Sequence, residues 1–148
     1  MLPILAFIFE ILESRIFWTL TFTYIITHFV KLLTHRYESG RWSAGPLWET
    51  GGMPSSHSSI VVALSVAIGL ETGVSAVFFL SVIFALIVIR DSFGVRASVG
   101  EQARILNVLS SKLNIHEKAR TVLGHTPAQV TIGALLGFVV ASGIYLLP

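Results

Sequence analysis

The sequence contains no cysteine and few charged residues. Only 12% of its 148 residues are Asp, Glu, Lys or Arg, and Asp91 is its single aspartate. Without cysteine, neither a disulfide bond nor a cysteine-ligated metal site can form. A charged fraction this low, beside 53% hydrophobic residues and a mean hydropathy of +0.79, excludes an ordinary soluble domain. The composition therefore places the chain in a lipid bilayer.

The length predicts one domain, covering residues 1–148. The formal net charge is +2 and the isoelectric point is near 9.3. In a membrane protein, basic loops set the topology and contact anionic headgroups, which explains the excess of positive charge. We therefore expect membrane lipids as partners and no nucleic acid.

Spanning the hydrocarbon core takes about 20 mostly apolar residues. Four stretches approach this requirement: residues 16–33, 54–73, 74–89 and 127–147. We predict an all-α, integral membrane helix bundle with about four transmembrane helices. Residues 1–12 add an N-terminal half-helix, and residues 100–124 add an amphipathic helix. The hydroxyl and ionisable groups inside the first span should face other helices rather than lipid.

The basic residues predict the topology. Nine of the ten Lys and Arg residues flank the connections after the first and third spans. By the positive-inside rule these connections are cytoplasmic, and both chain ends face outward. Gly133 and Gly137 in the last span have the spacing of close helix contacts. We predict that this face supports a homo-oligomer.

The most polar stretch next to a span is residues 51–59, Gly-Gly-Met-Pro-Ser-Ser-His-Ser-Ser. Pro54 and Pro127 are each predicted to be the first residue of a span, where the missing N–H costs nothing. One start carries His57 and the other His125. Helix N-termini bind phosphate through free N–H groups and the helix dipole. Two such ends predict a phosphoryl-transfer pocket, in which one histidine attacks phosphorus and the other protonates the leaving oxygen.

These features also fit purely structural roles. Residues 51–59 have the composition of a turn and helix cap that binds no ligand. Thr126 and Gln129 fit a capping box, which is the role we expect for them. Asp91 either forms an ion pair at the membrane interface or orients a histidine or holds a cation, and the sequence leaves both interpretations open.

Three blocks of residues occur in order along the chain: Gly-Gly-Met-Pro-Ser-Ser-His-Ser at 51–58, the segment 91–107 with Asp91, Gly94-Val95-Arg96 and Asn107, and Gly-His-Thr-Pro at 124–127. Together they resemble the divergent branch of the type-2 phosphatidic acid phosphatase superfamily, which also includes vanadium haloperoxidases. The resemblance covers roughly residues 31–137. It implies a membrane phosphatase that hydrolyses a phosphomonoester or diphosphate of a lipid through a phosphohistidine, with no metal and no other cofactor.

The resemblance also implies roles for individual residues. His125 matches the nucleophile and His57 the general acid, and Asp91 joins them as the third catalytic candidate. The implied phosphate-binding residues are Lys31, Arg41 (or Arg36 as the alternative partner of Lys31), Ser55, Ser56 and Arg96. Gln129 stands where the superfamily has an aspartate behind the nucleophile. Either Asp91 and Arg96 supply the missing groups from another element, or catalysis is impaired.

Two other classes of function fit the same residues. A non-catalytic membrane protein could use the pocket to bind a phospholipid headgroup or to move lipid, and the Gln129 departure favours it. A small oligomeric transporter or structural module could pack its glycine-rich last span against a second copy. Phosphate release from a lipid phosphate separates the enzyme from both alternatives.

Overall fold

The structure is a computed structural model that describes residues 2–43, 45, 51–119, 121 and 124–147. Six α-helices and no β-strand are described within these residues. In chain order they are α1 (Leu2–Glu13), α2 (Arg15–Ser39), α3 (Ser56–Thr72), α4 (Ala76–Phe93), α5 (Val95–Lys112) and α6 (Pro127–Leu146). The predicted all-α class is confirmed.

Length and composition of the helices support a membrane bundle. Three helical segments are long and apolar enough to cross a membrane: Arg15–Ser39, Ala76–Lys112 (α4 continued by α5) and Pro127–Leu146. The predicted second span, α3, is a shorter apolar helix of 17 residues. At 1.5 Å per residue it rises about 25 Å, slightly less than the hydrocarbon core of about 30 Å.

Hydroxyl caps fix where four of the helices begin. The side chains of Ser14, Ser55, Ser75 and Thr126 each accept a backbone N–H from three residues ahead. Such a cap satisfies one of the N–H groups that lack a partner at a helix start. At α6 the Gln129 side chain accepts the Thr126 N–H in return, at 3.0 Å. The predicted capping box is confirmed.

The start of α3 differs from the prediction. The helix begins at Ser56 because Ser55 is its cap, so the prediction of Pro54 as the first helical residue is wrong. His57 still lies in the first turn. Pro127 is the first residue of α6, as predicted.

The amphipathic helix α5 is displaced toward the N-terminus relative to its predicted position. It covers Val95–Lys112 rather than residues 100–124, because Gly94 ends α4 and α5 follows at once. Leu106 and Leu109 on α5 are about half exposed, at 55% and 49%, as expected for a helix in contact with lipid.

One face of α2 is polar and buried. Its buried residues are Thr19, Thr23, Thr27 and Lys31. Because they are four residues apart, they lie on one side of the helix, and α2 contacts both α3 and α6. The prediction that the polar groups of this span face other helices is confirmed.

Helix α3 lies at the centre of the bundle, in contact with α2, α4 and α6. Its tightest contact is with α6, where Gly133 and Gly137 are buried. A side-chain carbon on Gly133 would overlap the backbone of Ser55, and one on Gly137 would overlap that of Ser59. The face predicted to support a homo-oligomer is thus covered by α3 of the same chain, and a homo-oligomer stays a prediction.

This contact predicts that Gly137→Ala destabilises the protein. The added methyl group cannot be accommodated against the Ser59 carbonyl, and overpacking of this kind costs about 1–3 kcal/mol. The thermal unfolding midpoint in detergent measures the effect. Gly143→Ala is the matched control, because it lies in the same helix with no atom within 4 Å of the added carbon. It should be neutral or slightly stabilising. Equal midpoints for the two variants would contradict the described packing.

Candidate active site

Backbone hydrogen bonds bring the predicted motifs together at one end of the bundle. The Ser55 N–H donates to the Gln129 carbonyl at 3.1 Å, which joins the start of α3 to the start of α6. The His125 N–H donates to the Ser92 carbonyl at 3.0 Å, which joins the start of α6 to the end of α4. Three separate stretches of sequence therefore meet where His57 and His125 lie.

Two glycines allow this close approach of loops and helices. Gly124 has a φ of 95°, and a Cβ there would lie 2.8 Å from the backbone nitrogen of Ala97 in α5. Gly52 has a φ of 80° and lies against the Lys31 side chain, 3.2 Å from where its Cβ would be. Glycine adopts this region of φ without the strain of a Cβ. The sequence analysis gave residues 51–59, which include Gly52, the composition of a turn.

The two histidines form the centre of the site. Their ring centroids are 6.4 Å apart and the rings are inclined at 72°. His125 is buried and His57 is half-buried. Among the described residues, no hydrogen-bond partner reaches the buried Nδ1 atom of either ring. Buried polar atoms without partners are uncommon and typical of ligand-binding or catalytic sites.

The surroundings of His125 keep its imidazole neutral. Burial lowers the pKa of His125 from 6.5 to about 4, and the nearby charges of His57, Lys31 and Arg96 act in the same direction. A neutral imidazole has a free electron pair on one ring nitrogen. At neutral pH, His125 is therefore in the form that a nucleophile requires.

Asp91 and Arg96 form an ion pair next to the histidines. The Arg96 Nε donates to the Asp91 Oδ2 at 2.8 Å. The ion pair, which was one of the two interpretations of Asp91, is therefore formed. No described hydrogen bond joins Asp91 to a histidine. The Arg96 charge nevertheless acts on His125, so the pair belongs to the same site.

Three serines at the start of α3, Ser55, Ser58 and Ser59, are buried and hydrogen-bonded. The Ser55 hydroxyl accepts from the Ser58 N–H at 3.4 Å and from the Ser58 hydroxyl at 3.0 Å. Residues 51–59 therefore have the structural role of a turn and helix cap. Ser56 is partly exposed as the first helical residue.

The structure brings Lys31 to the site but not Arg41. Lys31 is 3% exposed, and its charge acts on His125. Arg41 is exposed beyond the end of α2, and the contacts described for it are with Ser39. No described contact joins Arg41 to either histidine. Its predicted alternative, Arg36, stacks over the Trp42 ring at 6.0 Å.

A cavity of about 400 Å³ opens beside His125. Its lining is mostly backbone and small side chains, from Gly51, Gly52, Ala97, Gly100, Thr121, Gly124 and Thr126, with His125, Gln129 and Arg104. The sequence analysis assigned Arg104 to topology only. The available signal was its spacing: Ala97, Gly100 and Arg104 share one face of a helix, and all three line the cavity.

Asn107 is a second residue whose role the sequence analysis missed. Its side chain accepts the Ala119 N–H at 2.8 Å and donates to the Ala119 carbonyl at 2.9 Å. This double hydrogen bond ties the chain that leads to Thr121 and His125 back onto α5. Asn107 therefore helps to place the segment that carries His125.

These features define a class of protein. It is a helical membrane protein with a basic, two-histidine pocket at one end of its bundle, built from the first turns of two helices. The sequence model of the Divergent PAP2 family matches residues 12–140, and the chain belongs to this family. It thus falls within a phosphatase-related superfamily of membrane proteins.

A curated relative agrees with this membership. The chain is 41% identical over 105 residues to "Uncharacterized membrane protein YuiD" of Bacillus subtilis (strain 168). The match covers 60% of this chain and 66% of that relative, so the chain spans just under two thirds of the relative's length. No solved structure matches the chain at a significant level.

The low pKa of His125 predicts a loss of stability in acid. Unfolded His125 takes up a proton near pH 6.5, whereas folded His125 does so only near pH 4. The stabilisation is present above pH 6.5 and is lost as the pH falls toward 4. Between pH 7 and pH 4.5, the free energy of unfolding of the unsubstituted protein should fall by on the order of 2 kcal/mol because of His125. We expect His125→Gln to abolish this fall.

Denaturant unfolding in detergent at the two pH values measures this difference. His116→Gln is the control, because His116 is an exposed loop residue. If His125→Gln keeps the pH dependence of the unsubstituted protein, His125 is not the buried, neutral group described above.

Proposed function

We propose that the protein is a membrane lipid-phosphate phosphatase that hydrolyses a phosphomonoester or diphosphate through a phosphohistidine. The observation that carries the proposal is the histidine pair. Two imidazoles lie 6.4 Å apart between centroids, each at the start of a helix. A tetrahedral phosphoryl group held between them would face one ring on each side, as an in-line displacement requires.

The proposed reaction has two steps. First, a ring nitrogen of His125 attacks phosphorus, the bond from phosphorus to the lipid oxygen breaks, and His57 donates a proton to that oxygen. Second, a water molecule attacks the phosphohistidine while His57 takes up a proton from it. The phosphorus–nitrogen bond breaks, inorganic phosphate leaves and His125 is neutral again.

Positive charges and helix N-termini would hold the phosphoryl oxygens. In this proposal Lys31 and Arg96 balance the charge, and Asp91 positions the Arg96 guanidinium through their ion pair. The Ser56 N–H in the first turn of α3 and the dipole of that helix favour an anion, whereas the Ser55 N–H is already bonded to the Gln129 carbonyl. The sequence analysis assigned Lys31, Arg41 and Arg96 to phosphate, and this proposal keeps Lys31 and Arg96.

Gln129 is expected to limit the rate. Its side-chain oxygen accepts the Thr126 N–H in the capping box, and an amide cannot stabilise a cationic imidazole as a carboxylate does. Charge balance for phosphorylated His125 would then depend on the transferred phosphoryl group itself. The consequence is a slower turnover than a histidine–aspartate pair would support.

The proposed substrate is a lipid, and no metal is required. An anionic headgroup suits the basic groups, and a bundle within the bilayer receives its substrate from the bilayer. We infer from the basic loops that the site faces the cytoplasm. Labelling a cysteine introduced at Lys112, in a chain that has no other, would reveal the opposite orientation.

A second candidate is a non-catalytic protein that binds or moves phospholipids with the same pocket. The Gln129 side chain is used in the helix cap, so it provides no carboxylate to support the nucleophile. This favours the non-catalytic candidate. The two candidates share the phosphate-binding pocket and differ in whether phosphate is released.

Phosphate release from purified protein distinguishes them. We expect release from at least one of phosphatidate, a prenyl diphosphate and a phosphatidylglycerol phosphate, with and without chelator. His125→Ala and His57→Ala should each lower the rate by about 100-fold or more, the usual contribution of such groups. The control His116→Ala should not lower it. Lipid binding without phosphate release, or release indifferent to both histidines, would reject the phosphatase and leave the second candidate.

A further inference from the structure

A second cavity lies outside the histidine pocket, on the surface of α4 and α5. It is a groove of about 790 Å³. Its apolar walls are Ile83, Leu86, Ile87 and Val95, and its other lining residues are Arg90, Asp91, Gly94 and Ser98. All four apolar side chains are more than half exposed. The groove is thus apolar along α4 and polar only at one end.

The break at Gly94 shapes this groove. Gly94 ends α4 with φ −95° and ψ −89°, and α5 begins at the next residue. A Cβ on Gly94 would lie 2.9 Å from the Arg90 carbonyl oxygen. The side chains of Ile83, Leu86 and Ile87, in the C-terminal part of α4, are exposed on this side. The Ser98 hydroxyl donates to the Gly94 carbonyl at 3.2 Å, which satisfies a backbone group at the break.

The apolar wall of the groove fits within the hydrocarbon thickness of one leaflet of a bilayer. From Ile83 to Arg90 the helix rises about 10 Å, and one leaflet contributes about 15 Å of hydrocarbon. The apolar walls therefore run within the acyl region while the polar end reaches the headgroup level. Because α4 belongs to a segment that can cross the membrane, lipid hydrocarbon is the environment along these walls.

Charge selects the kind of lipid. Arg90 is exposed in the last turn of α4, at the polar end of the groove. A guanidinium there favours a phosphate, which it can contact with two parallel N–H groups. Asp91 beside it is paired with Arg96 at 2.8 Å, so its charge is balanced from the side of the histidine pocket.

We propose that this groove binds one anionic phospholipid with a phosphomonoester headgroup. Its hydrocarbon chain lies against Ile83, Leu86 and Ile87, and its phosphate contacts Arg90. Together with the proposed phosphatase activity, on which this part rests, the groove is the lateral site from which substrate reaches the pocket. The Asp91–Arg96 ion pair links the two sites, since Asp91 lines the groove and the Arg96 charge acts on His125.

Photocrosslinking of the full chain in lipid vesicles tests the proposal. The probes are phosphatidate with a photoreactive acyl chain and the matching phosphatidylcholine, and mass spectrometry locates the labelled residues. We expect phosphatidate to label residues 83–98 severalfold more than phosphatidylcholine does. Arg90→Gln should lower this labelling on the order of fivefold, the effect of one basic side chain near an anionic surface.

Filling the groove supplies a second variant with a matched control. Ile87→Trp should reduce phosphatidate labelling because the larger ring occupies the acyl position. Phe84→Trp should leave the labelling unchanged, since Phe84 is similarly exposed on the same helix and does not line the groove. Equal labelling by both lipids would mean ordinary contact with the bilayer and would overturn the proposal. The proposal would also be overturned if neither Arg90→Gln nor Ile87→Trp reduced the labelling.

The two proposals fail separately. The groove should label equally well in His125→Ala, because binding there does not require the nucleophile. Labelling without phosphate release by the unsubstituted protein would retain the lipid site and reject the phosphatase. Phosphate release without preferential labelling would retain the phosphatase and reject the groove.

Discussion

The backbone contact between α3 and α6 is the constraint on which the rest of the structure depends. Gly133 and Gly137 carry no side chain, so α6 lies directly against the carbonyls of Ser55 and Ser59. The Ser55 N–H then reaches the Gln129 carbonyl, and two helix starts become neighbours. Their N–H groups and dipoles point to the same end of the bundle, where His57 and His125 meet. A larger residue at either glycine would separate the two halves of the site.

Local features of the sequence predicted this end of the molecule well. The Pro127 start and the Thr126–Gln129 capping box depend on residues a few positions apart, and both are present. The spacing of Gly133 and Gly137 predicted a close helix contact but not its partner, because the pattern is the same for a neighbouring helix and for a second copy. The start of α3 was misplaced since both Pro54 and Ser55 carry helix-start signals, and the Ser55 hydroxyl determines the cap.

Contacts between distant elements could not be read from the sequence. Arg104 faces the cavity beside His125 because the segment after α5 folds back, and Asn107 holds it there. Arg96, one of the phosphate-binding residues that the resemblance implied, acts on His125, whereas no described contact joins the exposed Arg41 to either histidine. The family membership sets the phosphatase-related framework, while the Gln129 side chain caps α6. Burial keeps His125, the proposed nucleophile, neutral, and Lys31 and Arg96 are cations that act on it.

The most direct measurement of the central claim is to trap the covalent intermediate. The protein is mixed with a lipid phosphate carrying a radiolabelled phosphoryl group, quenched in alkali and digested, and the labelled peptide is sequenced by mass spectrometry. The account predicts a label on His125 that survives alkali, is lost in acid and is absent from His125→Ala. Phosphate release with no labelled protein, or with the label on another residue, would contradict it.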